Sequence, residues 1–307
     1  MRESVLTTKH IKKNYKNVVV LDDINMDLKQ GEIYGLVGKN GAGKTTLLRL
    51  ITGQAFQTQG EISLFGVSSQ SMINKERKRI GAIIETPSFY ANLSAEQNLE
   101  YYRIQRGIPG KQCVLDALEE VGLLDVGKKK FHSFSLGMKQ RLGLALALMN
   151  KPEILLLDEP INGLDPFGIV EIRTLLLKLN HEKKITILIS SHILTELSNL
   201  VTYYGFIHNG KMIKQLSSEE LSKECKKYLE LKVDQVEKMT ALLESKLGTT
   251  SYLVTPEQTI RIFEYMDQPS IISKLASMHD IALNEITVKD INLENYFIQL
   301  VGGNRNE

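Results

Sequence analysis

The residues best suited to chemistry form a glycine-rich segment that fits the pattern G-x-x-x-x-G-K-[ST]. Its glycines let the backbone turn tightly enough to aim successive N–H groups at phosphate oxygens. Lys44 supplies a positive charge for the β and γ phosphates, and Thr45 offers its hydroxyl to Mg²⁺. The helix expected to begin near Lys44 directs its N-terminus, which carries partial positive charge, at the phosphates. The predicted nucleotide-binding residues of this loop are Gly38, Lys39, Asn40, Gly41, Ala42, Gly43, Lys44, Thr45 and Thr46.

Two carboxylates and a histidine follow apolar runs further along the chain. Asp158 and Glu159 come directly after residues 154–157, and His192 follows the run 185–189 and two serines. A carboxylate at the carboxyl end of a strand beside a phosphate loop can hold Mg²⁺. A second carboxylate can polarise a water for attack on the γ-phosphate, which a neighbouring histidine can contact. Taken singly, each also fits a structural role, as a polar strand boundary or an ordinary core histidine.

The elements that must position these residues alternate between strands and helices. Apolar runs with polar boundaries predict strands buried on both faces of a parallel sheet, at 33–37, 153–157 and 185–189. Helical patterns follow the glycine loop and fill a long insertion, at 45–51, 95–105, 111–120 and 136–149. The predicted fold class is α/β. This first domain is expected to span residues 1–217, with a helical subdomain at about 86–150.

A second, smaller domain is expected at residues 218–307. Its predicted order is strand 228–233, helix 235–246, strands 251–254 and 259–264, helix 269–278, strand 282–288 and a final helix near 293–300. That β-α-β-β-α-β order is typical of α+β ferredoxin-like folds. It carries no recognisable catalytic constellation, which favours a regulatory or dimer-stabilising accessory domain.

Composition narrows the class of protein. The chain has 307 residues and a formal charge of +2, which gives no indication of a nucleic-acid-coating protein. No run approaches the roughly 18 to 20 apolar residues that span a bilayer, and the N-terminus lacks the apolar centre of a signal peptide. Cys113 and Cys225 lie far apart and fit a reducing compartment. We therefore expect a cytoplasmic protein whose membrane role, if any, depends on a partner.

Five segments in order resemble the nucleotide-binding subunit of ATP-binding cassette (ABC) transporters, over residues 6–216. They are the phosphate loop, the signature-like segment 134–141, the strand that ends in Asp158 and Glu159, the segment 163–166 and His192. The resemblance implies a P-loop NTPase core that binds and hydrolyses ATP. It also implies integral-membrane permease subunits as partners, which would hold the chain peripherally at the inner face of the cell membrane.

The resemblance also implies roles for single residues. Lys44 and the loop backbone would bind the ATP phosphates, and Thr45 and Asp158 would hold Mg²⁺. The catalytic residues would be Glu159, as general base or water-orienting group, and His192, as γ-phosphate contact. The aromatic that stacks on adenine corresponds to Tyr15. Ser135 and Gly137 would bind the γ-phosphate of ATP held by a second copy, so that two copies close head to tail.

The sequence departs from the usual pattern in two places. Phe134, Leu136 and Met138 replace the first, third and fifth residues of the Leu-Ser-Gly-Gly-Gln signature. Glu85 stands where the family commonly carries glutamine, and a carboxylate there is expected to be a further Mg²⁺ ligand. Through these departures and the Thr-Pro that follows Glu85, the sequence resembles the ATP-binding subunits of bacterial exporters associated with bacitracin resistance and lantibiotic self-protection. This resemblance implies export of a peptide antibiotic.

Three other classes of protein are alternatives to a transporter subunit. A GTPase usually carries Asn-Lys-x-Asp after the metal-binding strand, whereas the nearest match, 150–153, precedes that strand and ends in glutamate. An ABC-type ATPase that acts on nucleic acid or ribosomes is the stronger alternative, although neither a second cassette nor a coiled-coil insertion is present. The basic runs 75–79 and 128–130 are interpreted as solvated helix faces, so no nucleic-acid partner is expected. Lys44, Asp158, Glu159 and His192 argue against a binding module without catalysis.

Overall fold

The structure is a computed structural model that describes residues 3–85, 88–225, 227–289 and 293–302. The chain divides into two compact units, Met1–Ser218 and Glu219–Glu307. Thr86 and Pro87, which follow Glu85 in the subfamily motif, lie outside the described residues, as do the last residues of the predicted second domain.

The first unit combines two sheets with helices. Its elements, in chain order, are β1 (Ser4–Tyr15), β2 (Val18–Lys29), β3 (Ile33–Val37), α1 (Lys44–Thr52), β4 (Gln59–Leu64), α2 (Gln70–Glu76), β5 (Ile80–Ile83), α3 (Ala95–Gln105), α4 (Gln112–Glu120), α5 (Leu136–Leu148), β6 (Ile154–Asp158), α6 (Pro166–Lys183), β7 (Thr186–Ser191), α7 (Leu194–Leu197), β8 (Tyr203–His208) and β9 (Lys211–Ser217).

A six-stranded sheet with the order β5-β6-β7-β3-β8-β9 forms the centre of this unit. In this order, all neighbouring strands from β5 through β3 to β8 pair in parallel, and β9 pairs antiparallel to β8 at one edge. The predicted apolar runs are these central strands, because β3, the first four residues of β6 and all of β7 are buried. Strand β7 extends past its apolar run because Ser190 and Ser191 continue the pairing with Leu36 and Val37 of β3.

A three-stranded antiparallel sheet, β2-β1-β4, adjoins the parallel sheet and was not predicted from the sequence. Its pattern was obscured because the pairing of β1 with β2 is irregular between Thr8 and Asn14. A slip in register exchanges the faces to which side chains point, so the alternation of polar and apolar residues breaks. The β1–β2 hairpin places Tyr15 opposite Val18, at the end of the sheet.

The helical insertion contains α3, α4 and α5, close to their predicted bounds. Helix α3 begins with a capping box, in which Ser94 accepts from the Gln97 amide and the Gln97 side chain accepts from the Ser94 amide. Helix α5 is buried from Leu142 to Leu148, and its backbone packs so closely on β5 that a Cβ at Gly81 would collide with the Ala147 carbonyl.

Only part of the basic run 75–79 is solvated, since Lys75 and Lys78 are exposed, whereas Arg77 and Arg79 make contacts within the fold, which corrects the interpretation from sequence for these two. Arg77 Nε donates to the Ile51 carbonyl at 3.0 Å, one of the carbonyl groups that the end of α1 leaves unsatisfied. Arg79 donates to both oxygens of Glu153, at 2.6 and 2.8 Å, and lies over the ring of Phe65. These arginines join α1, β4 and the start of β6, a long-range role that charge pattern alone does not reveal.

The second unit has the architecture predicted for it. From Ser218 onwards the elements are α8 (Ser218–Glu224), β10 (Tyr228–Val233), α9 (Val236–Leu247), β11 (Tyr252–Val254), β12 (Thr259–Ile262), α10 (Pro269–Met278), β13 (Leu283–Lys289) and α11 (Leu293–Gly302). The sheet is antiparallel with the order β11-β12-β10-β13, as in ferredoxin-like folds. Its core comes from one face of this sheet and from α9 and α10.

Among the residues described, no helix is long and apolar enough to cross a membrane.

Tyr34 and Gly205 form a tight contact between β3 and β8 that offers a test of this packing. Tyr34 is fully buried and its hydroxyl donates to Gln215 Oε1 at 2.8 Å, whereas a Cβ at Gly205 would collide with the Tyr34 ring. We predict that Gly205→Ala lowers the free energy of unfolding by about 1–3 kcal/mol, measured by urea denaturation. Gly302→Ala, where a Cβ meets open space, is the control. Equal stability of the two variants would contradict this account.

Candidate functional site

The glycine-rich loop lies between β3 and α1, at the carboxyl edge of the parallel sheet. Gly38 has no room for a side chain, because a Cβ would lie 2.5 Å from the Ile207 carbonyl oxygen of β8. Gly43 precedes α1 with φ of 108°, a left-handed backbone that glycine adopts without strain. The loop therefore packs directly against the sheet. Among the residues that the structure describes, no side chain caps α1, so its first N–H groups are available to face an anion.

Lys44 places its charge inside this loop. Its side chain is only 4% exposed, and Nζ donates to the carbonyls of Gly38 at 2.7 Å and Lys39 at 3.4 Å. Nζ also lies 3.2 Å from Glu159 Oε1. A buried ammonium group requires such partners, because removing it from water without them is very costly. The loop thus presents one fixed positive charge, as the sequence pattern predicts.

Asp158 is held at the end of β6 by two hydroxyl groups. Thr45 Oγ1 donates to Asp158 Oδ2 at 2.7 Å, and Ser190 Oγ donates to Asp158 Oδ1 at 2.5 Å. The two residues expected to hold Mg²⁺, Thr45 and Asp158, are therefore adjacent in space although they lie far apart in sequence. Hydroxyl and carboxylate oxygens are the ligands that Mg²⁺ prefers, so this pair fits that ion.

Glu159 follows Asp158 with a strained backbone. Its φ of 48° is uncommon for a residue with a side chain. Its amide donates to both the hydroxyl of Ser190, at 3.0 Å, and the carbonyl of Ser190, at 3.2 Å. Strained conformations persist where neighbouring contacts over-determine them, and they cluster at functional sites. Ser190 thus holds Asp158 and Glu159 together.

The Glu159 carboxylate contacts three different side chains. Oε1 faces Lys44, whereas Oε2 lies 2.9 Å from His192 Nδ1 and accepts from Asn162 Nδ2 at 3.1 Å. The carboxylate is therefore fixed in direction while it remains at the surface of the site, with 21% of its side chain exposed. That arrangement suits a group that must orient a water and accept its proton.

A further acid, Glu196, lies beside these residues. Burial raises the pKa of the Glu196 carboxyl; the charge of His192 opposes this rise and that of Glu159 adds to it. The site therefore concentrates negative charge around His192. No sequence pattern pointed to Glu196.

Tyr15 lies at the tip of the β1–β2 hairpin, with 44% of its surface exposed. Lys13 Nζ lies 4.6 Å from the centre of its ring. Strand β2 continues from this hairpin to the phosphate loop, where Leu21 Cδ2 would lie 2.5 Å from a Cβ at Gly43. An exposed ring at the end of a hairpin whose second strand packs on the loop is a suitable platform for a base.

The signature-like segment lies at the start of α5. Ser135 caps this helix by accepting from the Met138 amide at 3.3 Å, and Ser135 and Leu136 are exposed. The segment packs beside the loop that precedes α6, since Leu136 Cδ2 would lie 3.5 Å from a Cβ at Gly163. Within the described ranges, no hydrogen bond or ion pair joins Ser135 or Gly137 to the phosphate loop. The structure thus does not bring this part of the predicted site to the rest.

Glu85, the third predicted Mg²⁺ ligand, is placed after β5 with a positive φ of 62°. Its carboxylate forms an ion pair with Arg49 of α1, and 66% of its side chain is exposed. The structure therefore gives Glu85 a positively charged partner rather than a contact with Asp158. Its role as a metal ligand stays a prediction.

Ser190, Asn162 and Glu196 are residues of this site that sequence reasoning missed. Ser190 directly follows the apolar run 185–189 and precedes His192 by two positions. A polar residue at the end of an apolar strand could therefore have marked it as a site residue. Asn162 carried none, because its contact with Glu159 depends on how the loop after β6 folds.

Comparison with known proteins agrees with this arrangement. A family profile described as ABC transporter matches residues 21–162. The bacitracin transport ATP-binding protein BcrA of Enterococcus faecalis is 42% identical over 98% of this chain and 97% of its own length. The lantibiotic transport ATP-binding protein SrtF of Streptococcus pyogenes is 42% identical over 68% of this chain and 89% of its own length.

A solved structure shares the fold of the first unit. It is a dimeric, post-hydrolysis ATP-binding cassette bound to ADP and Pi, with a TM-score of 0.62 and 25% identity over 69% of this chain and 98% of that one.

The sheet, loop and paired carboxylates define a P-loop ATPase. The chain belongs to the ABC transporter family, as an ATP-binding subunit that hydrolyses ATP. Subunits of this kind act with membrane permease components and form dimers. The predictions of fold class, family and ATPase activity are confirmed.

We predict that Ser190→Ala slows ATP turnover by about 10–100-fold, because a hydrogen bond to a charged group is worth about 1.5–3 kcal/mol. The loss of Ser190 Oγ frees Asp158 Oδ1 and removes one acceptor from the Glu159 amide. Phosphate release at saturating ATP measures the effect. Ser198→Ala is the control, since this exposed hydroxyl donates to the Thr195 carbonyl outside the site. Unchanged turnover in Ser190→Ala would remove the positioning role.

Proposed function

We propose that this chain powers the export of a peptide antibiotic of the bacitracin or lantibiotic type. The observation that carries the proposal is the near full-length identity of 42% to a bacitracin transport ATP-binding protein, joined to an intact set of Lys44, Asp158, Glu159 and His192. The 42% identity to a lantibiotic transport subunit supports the same class of cargo.

The phosphate loop binds the ATP phosphates in this proposal. Lys44 Nζ and the first N–H groups of α1 offset the negative charge of the β and γ phosphates, with Thr46 in the first turn. The exposed ring of Tyr15 stacks on adenine, while Lys13 lies near its ring. The backbone of Gly38, Lys39, Asn40, Gly41, Ala42 and Gly43 forms the cradle, which is too tight at Gly38 for a side chain.

Thr45 and Asp158 are the proposed Mg²⁺ ligands, since their oxygens lie together beside the loop. When bound, Mg²⁺ neutralises charge that develops on the transferred phosphoryl group. Glu159 orients the attacking water and takes its proton, held in direction by Asn162 and His192. With His192 Nδ1 against Glu159, Nε2 is the ring nitrogen left to contact the γ-phosphate.

The chain acts as a head-to-tail dimer in this proposal. Ser135 and Gly137 begin α5 at an exposed surface, with free helix N–H groups suited to a phosphate of the other copy. Nearby Phe167 and Val170 of α6 expose 83% and 50% of their surfaces. Apolar side chains this exposed favour burial against a partner, and a second copy supplies one.

Permease subunits bind at the helical subdomain, on the same proposal. Tyr90, Tyr101 and Ile104 are exposed there, and the rings of Tyr90 and Tyr101 lie 4.9 Å apart. This exposed aromatic surface is suited to burial against a permease subunit. The chain would thereby lie at the inner face of the membrane. The domain at 218–307 serves as a regulatory or dimer-stabilising accessory.

The decisive variant is Glu159→Gln, which removes the base but keeps the shape of the side chain. We expect normal ATP binding, a loss of turnover of about 10²–10⁴-fold and a stable ATP-bound dimer on size-exclusion chromatography. Lys44→Ala is the matched variant that should lose both binding and the dimer. Undiminished hydrolysis in Glu159→Gln would assign the base elsewhere.

The cargo is tested in cells that make this chain with its membrane subunits. Expression should raise the concentration of bacitracin or of a lantibiotic needed to stop growth, and Glu159→Gln should abolish the increase. Normal ATPase activity without any such protection would reject the cargo and leave the ATPase assignment intact.

We further predict that Glu85→Gln raises the Mg²⁺ concentration needed for half-maximal ATPase activity, because an amide binds Mg²⁺ more weakly than a carboxylate does. Glu61→Gln, an exposed glutamate on β4, is the control. Identical Mg²⁺ titrations of Glu85→Gln and the parent would remove Glu85 from the metal site.

A further inference from the structure

The first unit contains a cavity of about 500 Å³ apart from the phosphate loop. It lies where β6 and β7 begin, whereas Asp158 and Glu159 lie where β6 ends. Its volume falls within the range of about 300–1,000 Å³ that small-molecule sites occupy. The cavity is therefore large enough for a ligand and separate from the nucleotide site.

One face of α4 and the ends of α5 and α6 form its walls. Cys113, Asp116, Ala117 and Glu120 are spaced as neighbours on one side of α4, and all four line the cavity. Apolar side chains complete the interior. They come from Leu148 at the end of α5, Met149 after it, Ile185 before β7, Val5 of β1 and Phe65 after β4. The interior thus suits an apolar body.

Two acids of the cavity are already matched by bases. Glu120 pairs with Lys178 and Lys183, and these lysines outweigh the effect of burial, so the pKa of Glu120 is lowered. Glu153 accepts two hydrogen bonds from Arg79. Neither carboxylate needs a cation from a ligand.

The third acid, Asp116, is exposed and accepts from Gln112 Nε2 at 2.9 Å. Two bases of the lining, Lys151 and Lys184, are different from the other charged residues. Both are exposed, and neither forms an ion pair with any carboxylate in the part of the chain described here. Both hold a left-handed backbone, with φ of 47° and 57°, at positions where glycine would be unstrained. The lining holds three acids and three bases, and the outside bases Lys178 and Arg79 pair with two of these acids, so positive charge is in excess beside the apolar interior.

We propose that this cavity binds a small amphipathic organic anion. Its apolar body would lie among Ala117, Leu148 and Met149, and its acidic group would face Lys151 and Lys184. Charge-assisted contacts to lysine favour such a group over a neutral one, while contact with the apolar wall supplies most of the affinity.

The ligand would not contact the nucleotide. Helix α5, with 13 residues, runs from Ser135 to the cavity, a length of about 20 Å, and α6, with 18 residues, runs from Asp165 to it, about 27 Å. We therefore expect the organic anion and ATP to bind at the same time, without competing.

The chain's two cysteines provide the assay. Cys113 lines the cavity, whereas Cys225 lies in the second unit and serves as internal reference. The probe is decanoate, below the concentration at which it forms micelles, and the readout is the rate of maleimide alkylation of each cysteine, resolved by mass spectrometry. At ten times its dissociation constant, decanoate should slow alkylation of Cys113 about tenfold. The rate at Cys225 should stay unchanged, and saturating ATP should not relieve the protection.

Matched ligands and variants test the charge. Decanol and decyltrimethylammonium carry the same chain without the anion and should protect Cys113 about tenfold more weakly than decanoate. The double variant Lys151→Gln, Lys184→Gln should lose about tenfold in affinity for decanoate and keep its affinity for decanol. Lys128→Gln with Lys130→Gln, two exposed lysines of the helical subdomain, is the control and should bind as the parent does.

Three results would overturn the proposal. They are no protection of Cys113 by decanoate, equal protection by decanoate and decanol, or unaltered decanoate binding in the Lys151→Gln, Lys184→Gln variant. The test depends on neither the cargo nor ATP hydrolysis, so a failure of the proposed export function leaves it valid.

Discussion

The parallel pairing of β6 with β7 is the constraint on which the catalytic edge depends. Because Asp158 pairs with Ser190, this serine lies within hydrogen-bond reach of both Asp158 and Glu159. Its hydroxyl donates to Asp158 and accepts from the Glu159 amide, while its carbonyl accepts from that amide as well. A shift of register between these strands would separate Asp158, the proposed metal ligand, from Glu159, the proposed base. The relative positions of these two acids thus depend on backbone hydrogen bonding between β6 and β7.

The tight packing of the phosphate loop has the same origin. Gly38 approaches Ile207 so closely because β8 runs parallel to β3 beside it, and Lys44 is buried because the loop closes over it. The Lys44 charge is matched by loop carbonyls and by Glu159. The proposed phosphate contact and the proposed base thus share one buried cation, Lys44, which would couple the two functions physically.

Sequence reasoning recovered the parts of this molecule that depend on local pattern. The central strands, the phosphate loop and the β-α-β-β-α-β order of the second unit were predicted because apolar runs and glycines mark them directly. The β1–β2 hairpin was missed because its irregular register destroys the alternation of polar and apolar residues. Arg79 was misread as solvated, since its partner Glu153 is distant in sequence. Asn162 and Glu196 needed the folded loops to bring them near Glu159 and His192.

The distance between Ser135 and the phosphate loop within one chain has a genetic consequence. In a head-to-tail pair, each composite site takes its loop from one copy and its signature from the other. A defect in Lys44 of one copy and a defect in Ser135 of the other therefore fall on the same composite site and spare the second one entirely. The same two defects carried by one copy divide between both sites. Cells that make two copies with different defects could thus show whether function requires one intact composite site or two.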